Sequence, residues 1–131
     1  MNATSEDIKD LLVDESSLDL VFAENLFIGR LPESPDSCVV IYDTSSVEPA
    51  QTFERSYEYN YESIQIRARG INYTTVWAQI QDIGTFLQGL NNFTLNDTFY
   101  ALIKIKSGPF QLEWDDNNRI NLVINFEIQR R

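Results

Sequence analysis

Four side chains in a row, Asp115-Asp116-Asn117-Asn118, form the densest set of oxygen donors in the chain. Oxygen is what calcium and magnesium take as ligand. The segment lacks the glycine and the distal glutamate of a calcium loop, and it falls between two apolar runs, so it reads as a turn. Paired carboxylates recur at Glu6-Asp7 and Asp14-Glu15. General acid and base work needs carboxyls held in a cleft with separated pKa values. Nothing in the sequence selects one pair over another, and a solvated acidic surface is the expectation. Cys38 is the single cysteine and lies in an apolar run, where it reads as a small core side chain. The absence of histidine counts against His-based triads and most zinc sites. The five glycines never gather into a phosphate loop. No catalytic residue, metal site or cofactor is expected, and the chain reads as a non-enzyme.

The cations are more informative. The stretch Ser63-Ile64-Gln65-Ile66-Arg67-Ala68-Arg69-Gly70 alternates, with Ile64, Ile66 and Ala68 on one side of a strand and Gln65, Arg67 and Arg69 on the other. Lys104 and Lys106 share a strand face in the same way. If the two strands lie in one sheet, four cations share a surface. Long charged side chains on an exposed sheet face also blunt edge pairing, so a bare sheet face and a subunit or partner contact both account for them. Tyr57, Tyr59 and Tyr61 fall on one face of an extended segment, which suits strand core and contact surface equally. The candidate interface set is therefore Arg67, Arg69, Lys104, Lys106, Tyr57, Tyr59 and Tyr61.

These cations sit in a chain of formal net charge -10, and the excess is uneven. Residues 1–62 carry fourteen acids and three bases; residues 63–131 carry six acids and seven bases. Two faces of opposite sign suit head-to-tail association of like subunits. Direct DNA binding through a basic patch is disfavoured, since phosphate-neutralising charge is scarce. No apolar run approaches a membrane span. The amino terminus is acidic and polar, without the basic-then-apolar order of a signal peptide, and residence in the cytosol is expected.

At 131 residues and 43% hydrophobic content, the chain suits one packed domain, 1–131. Thr4-Ser5-Glu6-Asp7 offers a helix cap with acids in the first turn, followed by Ile8, Leu11 and Leu12 at helical spacing. A further turn or two is expected through Leu20 to Phe22. Cys38 to Tyr42 reads as a buried strand and Asp43 to Glu62 as a polar segment. Tyr73 to Leu90 is the longest helix, with apolar gaps of three and four throughout. Phe99 to Lys106 is a strand expected to break at Ser107-Gly108-Pro109, and Phe110 to Trp114 is a short return run. Ile120 to Gln129 alternates most cleanly of all. The fold class is α+β: one domain, a mainly antiparallel sheet of four to five strands, with the long helix and an amino-terminal helix packed on it.

Three segments taken together resemble the minor capsid or tail-terminator proteins of long-tailed bacteriophages: NLFIGRLPESPDSCVVIYDT (Asn25 to Thr44), IQIRARGINYTTVWAQIQDI (Ile64 to Ile83) and INFEIQRR (Ile124 to Arg131). The shared features are an N-x-F-x-G then P-x-x-P-D entry, a strand ending in Asp-Thr, and an arginine-glycine before the long helix. Ser45-Ser46 departs from the glycines expected there. The resemblance implies a structural virion protein, commonly a hexameric ring, at the head-proximal end of the tail. It caps the tail tube, ends its polymerisation and offers the surface for head-tail joining. The implied partners are further copies of the chain, the major tail-tube protein and a head connector or neck protein. Phage DNA passes through the lumen without specific binding, no membrane is involved, and assembly takes place in the host cytoplasm. A head-completion ring and an acidic DNA-mimic inhibitor are the competing readings.

Overall fold

The computed structural model describes residues 1–50 and 59–131, with backbone alone for 46–50. Tyr57 therefore lies outside the described residues. Helix α1 (Thr4–Asp14) is followed by a 3-10 turn at Ser16–Leu18 and then by strands β1 (Leu26–Ile28), β2 (Cys38–Ala50) and β3 (Tyr59–Gly70). Helix α2 (Tyr73–Leu87) leads into β4 (Asn91–Leu95), β5 (Thr98–Trp114) and β6 (Ile120–Arg130). The six strands form one sheet in the order β1-β2-β3-β6-β5-β4. All pairs are antiparallel except β1 with β2.

Both helices lie on the same face of the sheet. Val76, Ile80, Ile83 and Leu87 of α2 are buried, as are Ile8 and Leu12 of α1. They meet Ile64, Ile66 and Ala68 of β3 and Leu122, Ile124 and Phe126 of β6 in one apolar core. Each of the Val, Ile, Leu and Phe side chains contributes about 1.5–3 kcal/mol by leaving water. Asn72 caps α2 by accepting the Thr75 N–H at 3.1 Å. A Cβ at Gly84 would come within 2.9 Å of Ile124 Cδ1, so the glycine lets α2 settle closely on β6.

Helix α1 starts differently from the expectation. Thr4 and Ser5 are inside the helix, and Ala3 at the N-cap makes no side-chain bond. The cap comes from β2: Asp43 accepts the Ser5 N–H at 3.0 Å and the Ser5 hydroxyl at 2.6 Å. A carboxylate at a helix N-terminus also meets the favourable end of the helix dipole.

Other boundaries differ, among them the end of α2, which stops at Leu87 and not at Leu90. The described residues form a sheet of six strands, because Leu26–Ile28 pairs with β2 and Asn91–Leu95 with the start of β5. Strand β2 continues past Tyr42 to Ala50. The segment through Phe22 is a 3-10 turn followed by a tight turn, with Leu20 buried and Val21 and Phe22 exposed. Ser107-Gly108-Pro109 does not end its strand; β5 runs on to Trp114 with register shifts between Ile105 and Ser107, Ser107 and Phe110, and Gln111 and Trp114. An earlier shift between Tyr100 and Leu102 turns Tyr100 into the core beside Ile103, where simple alternation places it on the opposite face.

Candidate assembly surface

The sheet face turned away from the helices is built in rows across four strands. Thr44, Ser63, Glu127 and Lys104 form one row, and Tyr42, Gln65, Asn125 and Ser107 the next. Val40, Arg67, Val123 and Phe110 form the third, and Cys38, Arg69 and Asn121 the last. Gln65 donates to Asn125 at 3.2 Å and Asn125 to Ser107 at 2.9 Å, so the second row is a chain of hydrogen bonds. Lys104 and Glu127 form an ion pair at 3.6 Å. Exposed pairs of this kind contribute about 0–1 kcal/mol.

Arg67 and Arg69 share this face, as the alternation requires, but their environments diverge. Arg67 is half-buried between Val40 and Val123, with its guanidinium 5.4 Å from the centre of the Tyr42 ring. No acceptor reaches its Nε among the described residues. Arg69 is 2% exposed. Its Nη2 donates to the Pro35 carbonyl at 2.7 Å and its Nε to the Asp36 carbonyl at 3.2 Å. Arg119 grips the same loop, donating from Nη1 to the Glu33 carbonyl at 2.6 Å and pairing with Asp36 at 3.3 Å. The P-x-x-P-D segment is thus fastened by two buried arginines, and Arg69 is committed to the interior.

The Asp115–Asn118 segment forms a turn in which the Asp115 carboxylate is spent locally. Asp115 accepts the N–H groups of Asn117 and Arg119 at 2.9 Å each and the Arg119 Nε at 2.8 Å. Desolvation pushes its carboxyl up, but these bonds outweigh that and hold it below the ordinary carboxylate value. Burial pushes the Cys38 thiol up, only partly opposed by the Arg69 and Arg119 charges.

Of the other expected contact residues, Lys106 is exposed beside a register shift, and Tyr59 is half-buried with Arg131 5.2 Å above its ring. Tyr61 lines a small groove with Leu102, Lys104, Glu127 and Gln129. The four cations do share one sheet, but β6 and Glu127 stand between the pairs, and they do not form one cluster. A larger cleft of about 360 Å³ lies between α2 and β5, lined by Gln81, Gly84, Thr85, Gln88, Ile105, Pro109 and Ile124, with no charged group facing it among the described residues.

Among the exposed apolar side chains, two groups at the edges of the sheet escaped the sequence reading. Phe110, Leu112 and Trp114 stand out along distal β5, and Val21 and Phe22 stand out beside β1. The spacing of two along Phe110–Trp114 is the signal that reveals the first.

A family model described as bacteriophage tail terminator protein matches residues 7–131. The chain belongs to the bacteriophage tail terminator family. As a tail terminator it is a structural component of a phage tail. A chain of the virion of a native gene transfer agent (GTA) particle shares the fold, with a TM-score of 0.69 at 10% sequence identity, over 98% of this chain and 94% of that one. Likeness at that identity concerns the fold. No curated protein matches the tail terminator sequence.

Proposed function

We propose that this tail terminator closes with copies of itself into a ring, commonly six, on the last turn of the tail tube. The ring ends tube polymerisation and presents the surface that joins the tail to the DNA-filled head. The observation that carries this reading is the unlikeness of the two flanks of the sheet. The turn before β1, the β1–β2 loop and β2 bring exposed acids such as Glu24, Glu33, Asp36 and Asp43 to one flank, while β5 brings Lys104 and Lys106 to the other. Unlike flanks suit a heterologous contact, which closes into a ring when the rotation allows. Growth stops because the far face of the ring does not match another tube subunit.

Arg67, Lys104, Lys106, Tyr59 and Tyr61 supply contacts to the neighbouring subunit or the tube, and Tyr57 belongs with them by its spacing. The work is done by surfaces and needs no turnover of substrate. Acidic residues facing the lumen repel passing DNA, by the electrostatics that make basic grooves bind it. The protein assembles in the host cytoplasm, resides at the head-proximal end of the tail, and meets the tube protein on one side and a neck protein on the other.

Phage lacking the protein tests the reading. Overlong tails unattached to heads are expected. Normal-length free tails would assign the chain to head completion instead.

A further inference from the structure

The two exposed apolar features lie at opposite edges of the same sheet. Val21 and Phe22, 48% and 46% exposed, form a turn beside β1. That turn is held rigid. Asn25 accepts the Val21 N–H at 2.7 Å and donates to the Asp19 carbonyl at 3.0 Å, and the Val21 carbonyl accepts from Glu24, Asn25 and Leu26. Lys9 stands 4.9 Å above the Phe22 ring but is paired with Asp10 at 2.9 Å. Flanking the turn are the exposed carboxylates of Asp19 and Glu24, which form no ion pair among the described residues. An ordered apolar knob with acids beside it is the result.

At the other edge, Phe110, Leu112 and Trp114 are 39%, 42% and 47% exposed. Strand β4 covers β5 only as far as Leu102, and Gly89, Leu90 and the Gln88 side chain satisfy Ile103 and Ile105. From Ser107 onward the outer edge of β5 has no strand partner among the described residues. Such an edge invites a further strand, but this one resists it. Pro109 lacks an N–H, and three register shifts between Ile105 and Trp114 disrupt the ladder. The distal arm is therefore suited to contact through side chains. Lys106 precedes the apolar residues and Glu113 follows among them, so an acidic partner is drawn to the Lys106 end.

We propose that the Val21-Phe22 turn of one copy docks on the Phe110-Leu112-Trp114 arm of the next, with Glu24 or Asp19 of the turn facing Lys106. The proposal rests on the ring reading and supplies its subunit contact. The occupant of the arm is a second copy because the matching apolar and acidic group sits on this same chain, at the far edge of the same sheet. Pre-ordering of the turn keeps the entropic cost of docking small.

Site-directed cross-linking tests the contact. In a Cys38→Ala background, Phe22→Cys and Leu112→Cys are introduced together and singly, and assemblies on tail tubes are imaged before oxidation. The double variant is expected to give a ladder of cross-linked multimers built only from this chain, and neither single variant is expected to give one. Rings without a ladder, or cross-links to tube protein in place of the ladder, overturn the docking contact while leaving the ring in place. Absence of any ring from the unsubstituted protein overturns the ring reading and the contact with it. Charge reversal gives a cysteine-free check: Lys106→Glu should weaken assembly about fivefold, and adding Glu24→Lys should restore it. Weakening with no recovery from Glu24→Lys or Asp19→Lys overturns the pairing.

Discussion

Arg69 donates to the carbonyl of Pro35 across 2.7 Å, joining the end of β3 to a loop more than thirty residues earlier. Replacing Arg69 with alanine leaves the Pro35 and Asp36 carbonyls without this donor. A loss of about 2–3 kcal/mol is expected, because hydrogen bonds from a charged donor exceed neutral ones. Lysine recovers little, since an ammonium does not reproduce the planar fork. Urea melts of the purified protein read the difference, and Arg67→Gln should lie within about 1 kcal/mol of the parent, as a half-exposed position does.

Gly70 follows Arg69, and a Cβ there would stand 2.5 Å from Val76 Cγ2. Gly70→Ala must push the first turn of α2 off the sheet. Overpacking of this kind costs about 1–3 kcal/mol, read as a lower Tm. Trimming the obstacle with Val76→Ala should recover part of that loss in the double variant, a non-additivity that identifies the clash as the cause.

Asp43 caps α1 from another element. Asp43→Ala is expected to cost about 1–2 kcal/mol and to release the amides of the first turn of α1. Hydrogen exchange should show that release at Ser5 before any change at Ile80 or Ile124. Uniform acceleration across the chain would contradict a local cap.

Burial, then the hydrogen bond to Asp7, pushes the Tyr100 phenol well above its ordinary value. Folding therefore retains this proton at a pH where the unfolded chain gives it up. The stabilisation is complete below the unfolded value of about 10 and is lost as pH rises beyond it. Tyr100→Phe should flatten the alkaline limb of a stability profile. At neutral pH the variant should be weaker by about 1–2 kcal/mol, because buried Asp7 loses a donor, keeping Asn2, Asn96 and Arg130 among the described residues.

Cys38 is 1% exposed and its thiol is pushed up by that burial. The thiolate is the reactive form, so a thiol reagent should label the native protein at the rate of global opening and the urea-unfolded protein at once. Rapid native labelling would mean that the row Cys38–Arg69–Asn121 opens on its own.

Much of this arrangement is legible in the residues. The α2 stripe, the alternation of β6, the Cys38–Tyr42 strand and the turn at Asp115 all announce themselves through period or turn chemistry. Alternation also puts Arg67 and Arg69 on the correct face. It does not say what else covers that face, and the loop carrying Pro35 lies over one arginine and not the other. Strand β4 is not legible, because Asn91 and Asn92 within it and Asn96 just beyond it are loop residue types. The path of β5 was missed because its register shifts overrule the period of two. The cap from Asp43 joins residues 38 positions apart, a distance at which local pattern is silent. The features shared by the resembling segments are explained by contact: Asn25 orders a turn, Asp43 caps α1, and Arg69 fastens the proline loop.

The pairing of β3 with β6, from Asn60 opposite Arg130 to Gly70 opposite Ile120, joins strands separated in the chain by all of α2, β4 and β5. That seam runs through the middle of the sheet, so the early hairpin and the late one remain half-sheets until it zips. Loop closure over so long a span is slow and must precede its reward. The six-stranded sheet is therefore incomplete until β6 has paired with β3. Folding of the whole sheet thus waits on its most distant pairing, and removal of β6 would strip β3 and β5 of the partner they share.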